Sequence, residues 1–267
     1  MTSIILPYYN RPDDIFDACL YSIANQNCNV DFEVLVIDDG SDHNIYHPFD
    51  VIRNYTDKLN IRYFYNNNPG FTIASFAINI GIKQSLYDYI IISSSDVVWH
   101  KDILKNFIEV FNKNLHKKIV IGTLVYGLNK HGTNKFLGLP KTERLEFDKK
   151  LNLPDLVEYK ETMQLSEHCL YIYEHPKREN GIPLNFLTGY YKELLLDMQG
   201  FDEDIECGED MVFIKRLQLA NVQPIWLDLK CLHLYHYDSV IGYRESPRKK
   251  TDEIISKLTT YKANKNI

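Results

Sequence analysis

The sequence predicts an α/β fold, a mostly parallel central sheet flanked by helices. Two patterns predict it. Continuous apolar runs of strand length alternate with segments whose apolar residues recur every three or four positions. Several of these runs also stop abruptly at polar clusters, as strands of a sheet buried on both faces do.

Ser3 to Leu6 reads as the first strand, closed by Pro7. Asn10-Arg11-Pro12-Asp13 turns into a helix with Ile15, Cys19 and Ile23 in its apolar stripe. Phe32 to Ile37 is the second strand and stops at Asp38-Asp39-Gly40-Ser41. Ile52, Tyr55 and Leu59 suggest a helix, and Ile61 to Tyr65 a third strand. Asn66-Asn67-Asn68-Pro69-Gly70 can only be a loop. Ile73, Ala77, Ile80 and Gly81 open the next helix. Tyr89 to Ile92 is the fourth strand, ending at Ser93-Ser94-Ser95-Asp96. Ile103, Phe107 and Phe111 recur every fourth residue and predict a helix. From Asn129 to Pro183 the periodicity is weak, and loops with short elements are expected. Order returns at Leu184 to Gly189. Helices follow over Lys192 to Met198 and from Gly208-Glu209-Asp210. Pro224 to Leu229 and Cys231 to Tyr235 read as strands, and Thr251 to Tyr261 as a last amphipathic helix.

In such a sheet, ligands sit beyond the carboxyl ends of the strands. Those ends carry Tyr8-Tyr9-Asn10, Asp38-Asp39-Gly40-Ser41 and Ser94-Ser95-Asp96, so polar clusters converge on one edge.

Composition narrows the function. The 267 residues are 45% hydrophobic and 25% charged, which excludes wholesale disorder and fibrous repeats. A net charge of −6 disfavours a nucleic-acid partner. The five cysteines contain no CxxC pair and read as thiols in a reducing compartment. The start at Met1 shows no basic, apolar leader, and no run approaches the ~18 apolar residues of a membrane span. A cytoplasmic location is expected, with peripheral membrane contact through Arg248-Lys249-Lys250 left open beside a solvated tail.

The motifs in their order resemble glycosyltransferase family 2, nucleotide-sugar enzymes of the GT-A type with a Rossmann-like sheet. Ser3-Ile4-Ile5-Leu6-Pro7-Tyr8-Tyr9-Asn10-Arg11 is similar to the family's opening strand. Val34 to Ser41 resembles its second-strand motif, and Asn68-Pro69-Gly70 with Ala77 and Asn79 its next segment. Asp88 to Asp96 resembles the strand carrying its DxD motif. Gly200-Phe201-Asp202-Glu203 with Gly208-Glu209-Asp210 resembles its late acidic segment. Together these cover roughly Thr2 to Tyr237; each is weak alone, and their common order is specific.

The resemblance implies an inverting, metal-dependent transfer from a nucleotide-diphospho-sugar, a UDP-sugar first, to a hydroxyl of a glycan or glycoconjugate acceptor. A divalent cation, Mn²⁺ or Mg²⁺, would neutralise the leaving diphosphate. Asp96 is its expected ligand, with a late histidine, His236 first and His233 as the alternative. Asp96 could instead cap the helix after it, and either histidine could be structural. Ser94 and Ser95 stand where a second acid is common, and Ser95 is placed beside the donor.

By the same resemblance, Asp39 would read the base imide of a uridine nucleotide, while Asp38 braces the loop or touches the ribose. Pro7, Tyr9 and Arg11 would wall the base; Arg11 reads equally as an ion-paired surface residue. Asn68, Asn79 and Gly189 are placed at the donor, Gly189 because glycine permits close backbone approach. Ile78 replaces the family's usual arginine, and Lys83 is the one nearby candidate to compensate. Asp210 is assigned as general base and Glu209 as an acceptor-positioning residue. Acids in a first helical turn also favour the helix dipole without any catalytic role. Trp99 and Trp226 read as core, whereas Tyr190, Tyr191 and Tyr243 could border an acceptor groove.

The expected organisation is a nucleotide-sugar-binding half over 1–115, an acceptor-binding and catalytic half over 116–240, and a helical tail over 241–267. A catalytically silent glycan- or partner-binding module of the same fold remains the alternative. A nucleotidyltransferase is disfavoured because Pro7 to Pro12 has no glycine and one basic residue. A dinucleotide-dependent dehydrogenase would need a GxGxxG after the first strand, which is missing.

Overall fold

Among the described residues, nine strands join in one sheet in the computed structural model. It describes residues 1–68, 73–114, 117–151, 153, 168–174, 176, 181–236 and 245–263. The strands are β1 (Thr2–Tyr8), β2 (Phe32–Asp38), β3 (Asn60–Tyr65), β4 (Tyr89–Ser93), β5 (Val97–Val98), β6 (Ile119–Leu128), β7 (Cys169–Glu174), β8 (Leu187–Tyr191) and β9 (Gln223–His233). The helices are α1 (Asp13–Ala24), α2 (Phe49–Ile52), α3 (Ser75–Gln84), α4 (Ile103–Lys113), α5 (Lys130–Leu137), α6 (Lys141–Arg144), α7 (Phe147–Lys150), α8 (Lys192–Asp197), α9 (Glu209–Leu219) and α10 (Glu245–Lys257).

The strand order is β3-β2-β1-β4-β8-β6-β9-β5, with β7 on β6. The first four strands are parallel, as expected. The interiors of β1, β2 and β4 are almost wholly apolar because both faces are covered, whereas β3 is the partly exposed edge strand. β8 then runs antiparallel to both β4 and β6, so the second half of the sheet is mixed. Chain order reverses at β1, whose neighbours are β2 and β4. That switch point opens a crevice at the carboxyl ends of these strands.

Local chemistry sets the flanking helices. α1 begins after Pro12 with Asp13 and Asp14 in its first turn, acids that favour the dipole's positive end. Its Ile15, Phe16, Cys19, Leu20 and Ile23 are buried. α4 buries Ile103, Leu104, Phe107, Ile108 and Phe111.

Some elements differ from expectation. The apolar run Ile119–Leu128, where no element was predicted, forms the long strand β6. The two late strands are one, β9, because its pairing with β6 continues past a register shift at Thr123/Leu124. The helix expected around Ile52 to Leu59 is only the short α2. The last helix starts earlier than predicted, so Arg248-Lys249-Lys250 lies within α10, where Lys250 pairs with Glu206 over 3.1 Å. α10 packs on α9, and Thr251 Oγ1 donates to the Cys207 carbonyl over 2.5 Å. No disulfide forms among the described residues. No described helix is long and apolar enough to cross a membrane.

Candidate active site

The crevice edge is laced together by backbone and side-chain bonds. Asp39 N–H donates to the Tyr8 carbonyl over 2.9 Å, and Asn10 N–H to Ser41 Oγ over 2.9 Å. Gly40 has φ of 89°, and a Cβ there would lie 2.5 Å from the Asn68 carbonyl oxygen. Only glycine lets the loop after β3 close down on the loop after β2.

Asp38 is fully buried and braces its loop. Its Oδ1 accepts from Ser41 N–H over 2.9 Å, and its Oδ2 lies 2.6 Å from His43 Nε2 and accepts from Tyr63 Oη over 2.8 Å. Of the two tasks considered for Asp38, bracing is the one its bonds perform. His43 and Tyr63 were not singled out in the sequence, where nothing local marks them. Asp39 accepts from Asn66 Nδ2 over 2.6 Å and from Asn68 Nδ2 over 3.2 Å. Burial raises its carboxyl above the ordinary range, opposed by those two amides. Pro69 and Gly70, after Asn68, lie outside the described residues, as does Tyr243.

Asp96 follows β4 and is 2% exposed. The end of β9 and the residues just after it bring two histidines to it. His233 Nε2 lies 3.5 Å from Asp96 Oδ1, and His236 Nε2 lies 2.8 Å from Oδ2. The ligand atoms of all three lie within 4.8 Å of one another. Both histidine candidates therefore reach the carboxylate. Arg11 joins them: its Nη2 is 3.2 Å from Asp96 Oδ2 and its Nη1 is 2.7 Å from His236 Nε2. Of the two readings of Arg11, the ion pair holds, though its partner is Asp96 within the site.

The donor chemistry of this cluster fits a divalent cation. Burial would raise the Asp96 carboxyl, but Arg11, His233 and His236 overcome it and hold the group well below the usual range. Burial pushes the His233 imidazole down to about 4, against the pull of Asp96. The carboxylate is thus ionised and His233 neutral near neutral pH, the forms that bind metal. Asp96 Oδ1 also accepts no hydrogen bond. Two imidazoles with one carboxylate suit Mn²⁺ better than Mg²⁺. Ser95, just before, is fully buried with its hydroxyl unpaired.

Glu209 and Asp210 open α9 behind Gly208, in the left-handed region at φ of 73°. Glu209 Oε1 accepts from Ala74 N–H over 3.3 Å, at the start of α3. This ties the acidic pair to the crevice edge. Burial first, and Asp210 second, push the Glu209 carboxyl up to about 7.

Two expected donor contacts have other tasks. Asn79 is buried, and its amide clamps the Gly200-Phe201-Asp202-Glu203 segment. Nδ2 donates to the Phe201 carbonyl and to Glu203 Oε1, each over 2.9 Å, while Oδ1 accepts from Phe201 N–H over 2.8 Å. Gly189 lies mid-strand between Ile91 and Ile121. A Cβ on it would meet Phe107 Cδ1 at 2.6 Å, so its smallness admits α4 onto the sheet. Lys83 is exposed in the last turn of α3, at the opposite edge, and does not compensate for Ile78. Tyr190 and Tyr191 are buried, and Tyr191 packs against Phe111 and Tyr89. Trp99 is core, as expected, and donates to Ser93 Oγ over 2.9 Å.

Residues 3–164 match the sequence profile of Glycosyl transferase family 2. The chain belongs to glycosyltransferase family 2. Among its relatives, chondroitin synthase of Escherichia coli is 24% identical over 233 residues, 80% of this chain and 32% of that protein. The chain thus spans about a third of that synthase. In structure it is similar to S. aureus TarS 1-349 in complex with UDP-GlcNAc, with a TM-score of 0.58 and 21% identity over 88% of this chain and 58% of that one. It is also similar to the mannosyltransferase PcManGT of Pyrobaculum calidifontis in complex with GDP-Man and Mn²⁺, with a TM-score of 0.58 and 15% identity over 97% of this chain and 70% of that one. These likenesses establish the GT-A fold for this family-2 chain.

Proposed function

We propose that this family-2 chain transfers a sugar from a nucleotide-diphospho-sugar, UDP-linked by preference, to a hydroxyl of a glycan or glycoconjugate, inverting the anomeric centre. The observation that carries the reading is the convergence of Asp96, His233 and His236 on the crevice edge that also holds Asp38 and Asp39. The UDP preference is supported by the UDP-GlcNAc complex of TarS; the GDP-Man complex of PcManGT supports the rival donor.

Asp96, His233 and His236 would hold Mn²⁺ or, less well, Mg²⁺. Such a cation, when bound, neutralises charge developing on the leaving diphosphate. Asp39, positioned by Asn66 and Asn68, accepts from the base; Pro7 and Tyr9 wall it, and Ser95 lines the diphosphate side. An Asp210 carboxylate oxygen takes the acceptor's hydroxyl proton as the hydroxyl oxygen bonds to the anomeric carbon and the bond to the diphosphate oxygen on the opposite side breaks. Glu209, tethered to Ala74, orients the acceptor.

A second reading, a silent glycan- or partner-binding module, is favoured by the buried Ile78 where the resemblance implies an arginine. Donor turnover separates the two. Purified protein is incubated with UDP-, GDP-, CMP- and dTDP-sugars, with Mn²⁺ or chelator, with and without acceptor glycans, beside Asp96→Ala and Asp210→Ala. Cation-dependent nucleotide release from one donor, lost in Asp96→Ala, is expected. Donor binding without release under any condition would move the silent module to first place.

A further inference from the structure

The guanidinium of Arg11 is bonded to the atoms assigned to the cation. Nη2 reaches Asp96 Oδ2 at 3.2 Å, and Nη1 reaches His236 Nε2 at 2.7 Å. These are the same two atoms that meet each other at 2.8 Å. Nη1 lies equally near the other ring nitrogen of His236, Nδ1, at 2.8 Å, so the guanidinium sits against the whole imidazole edge. A carboxylate oxygen paired with a guanidinium cannot serve a divalent ion in the same geometry. The charges oppose coexistence as well: a second cation a few ångströms from a divalent one is repelled, and burial strengthens the repulsion.

Arg11 has somewhere else to go. It sits two residues beyond Tyr9, on the turn between β1 and α1, at the crevice. Its side chain is 16% exposed against 3% for Asp96, and its Nε, though buried, makes no hydrogen bond. The two terminal nitrogens of the guanidinium are therefore engaged while its Nε–H is unmatched. A fork of donors on a crevice wall is well matched to phosphate oxygens. Ile78 leaves α3 without a cation of its own at this edge, so Arg11 is the basic side chain that the described site offers to a diphosphate.

We propose that Arg11 is a displaceable counter-ion: it neutralises Asp96 until a divalent cation takes the carboxylate, and the released guanidinium then pairs with the donor's diphosphate. This rests on the cation-dependent reading above. It makes cation and donor bind cooperatively, since each favours the arrangement the other needs. It also gives Asp96 a partner at all times, so that a buried carboxylate is never left uncompensated.

The test is a calorimetric titration of Mn²⁺ into wild type, Arg11→Gln and Arg11→Lys, without nucleotide and then with saturating UDP. Manganese electron paramagnetic resonance reports free Mn²⁺ in parallel, and thermal unfolding confirms that each variant is folded. Without UDP, Arg11→Gln should bind Mn²⁺ about fivefold or more tightly than wild type, the lower end of typical coupling between sites. Arg11→Lys, which keeps the charge, should stay near wild type. UDP should tighten Mn²⁺ binding in wild type by a larger factor than in Arg11→Gln. If Arg11→Gln binds Mn²⁺ no more tightly than wild type, the counter-ion role is overturned while the cation site stands. If no protein binds Mn²⁺ with or without UDP, the cation reading falls and the inference with it.

Discussion

The main-chain N–H of Leu234 donates to the carbonyl of Asp96 over 3.0 Å. One residue on from Asp96, Val97 pairs with His233 in the two-residue strand β5. The candidate cation site is therefore assembled by backbone pairing between chain segments far apart in sequence. Its side chains are held in place before any ligand arrives, which lowers the cost of binding.

Because backbone bonds hold that junction, Asp96→Ala should fold and fail to bind Mn²⁺. Transfer should fall by about 10²–10³-fold, the usual loss when a main electrostatic stabiliser is removed. Calorimetry and nucleotide release measure the two effects. Undiminished cation-dependent turnover would take Asp96 out of the site.

The acidic pair makes a pH prediction. The Glu209 carboxyl is raised from its ordinary 4.5 to about 7 by burial and by Asp210, so the pair shares a proton up to neutrality. The transfer rate should rise with pH through about 7 as that proton leaves, and Glu209→Gln should move this limb to lower pH. Stability has the opposite slope. A raised folded-state value stabilises fully below 4.5 and is lost as pH rises through about 7. Glu209→Gln should thus gain on wild type in denaturant midpoint between about pH 5 and about pH 8. A constant gap between the two proteins across that range would refute the shared proton.

Asn79→Ala removes three hydrogen bonds and strands the Phe201 N–H. The expected cost is about 1–3 kcal/mol, the penalty for one buried unsatisfied group. Thermal unfolding would show it as a lower midpoint. A loss of donor affinity at unchanged stability would return Asn79 to the donor pocket.

Gly189→Ala tests packing against substrate contact. The new methyl would meet Phe107 at 2.6 Å, and overpacking of this kind costs about 1–3 kcal/mol. Unfolding by urea should show the loss, while UDP affinity of the folded variant stays at the wild-type value. Weaker UDP binding without destabilisation would place Gly189 at the donor.

Much of the fold could be read locally. β1, β2 and β4 are buried on both faces, so their residues form unbroken apolar runs with polar ends. β9 was harder, because the partly exposed Lys230 interrupts its apolar run and suggests two strands. The Asp96 carboxylate and the acidic start of α9 stood out because both occupy element ends. The packing tasks of Asn79 and Gly189 were not legible because their partners, Phe201 and Phe107, are remote in sequence. His43 and Tyr63 gave no signal, since their bonds to Asp38 depend on how the loop after β2 folds back beside β3.

Sequence by itself determined the parallel half of the sheet and the edge on which its carboxylates lie, because periodicity and strand-end chemistry are local properties. Tertiary structure alone decided that both His233 and His236 reach Asp96, that Arg11 joins them there, and that Asn79 clamps a loop. These follow from the pairing of β5 with β9 and the approach of the β1 turn to the end of β4. Such pairings are selected by the packing of the whole sheet, and no local pattern encodes them.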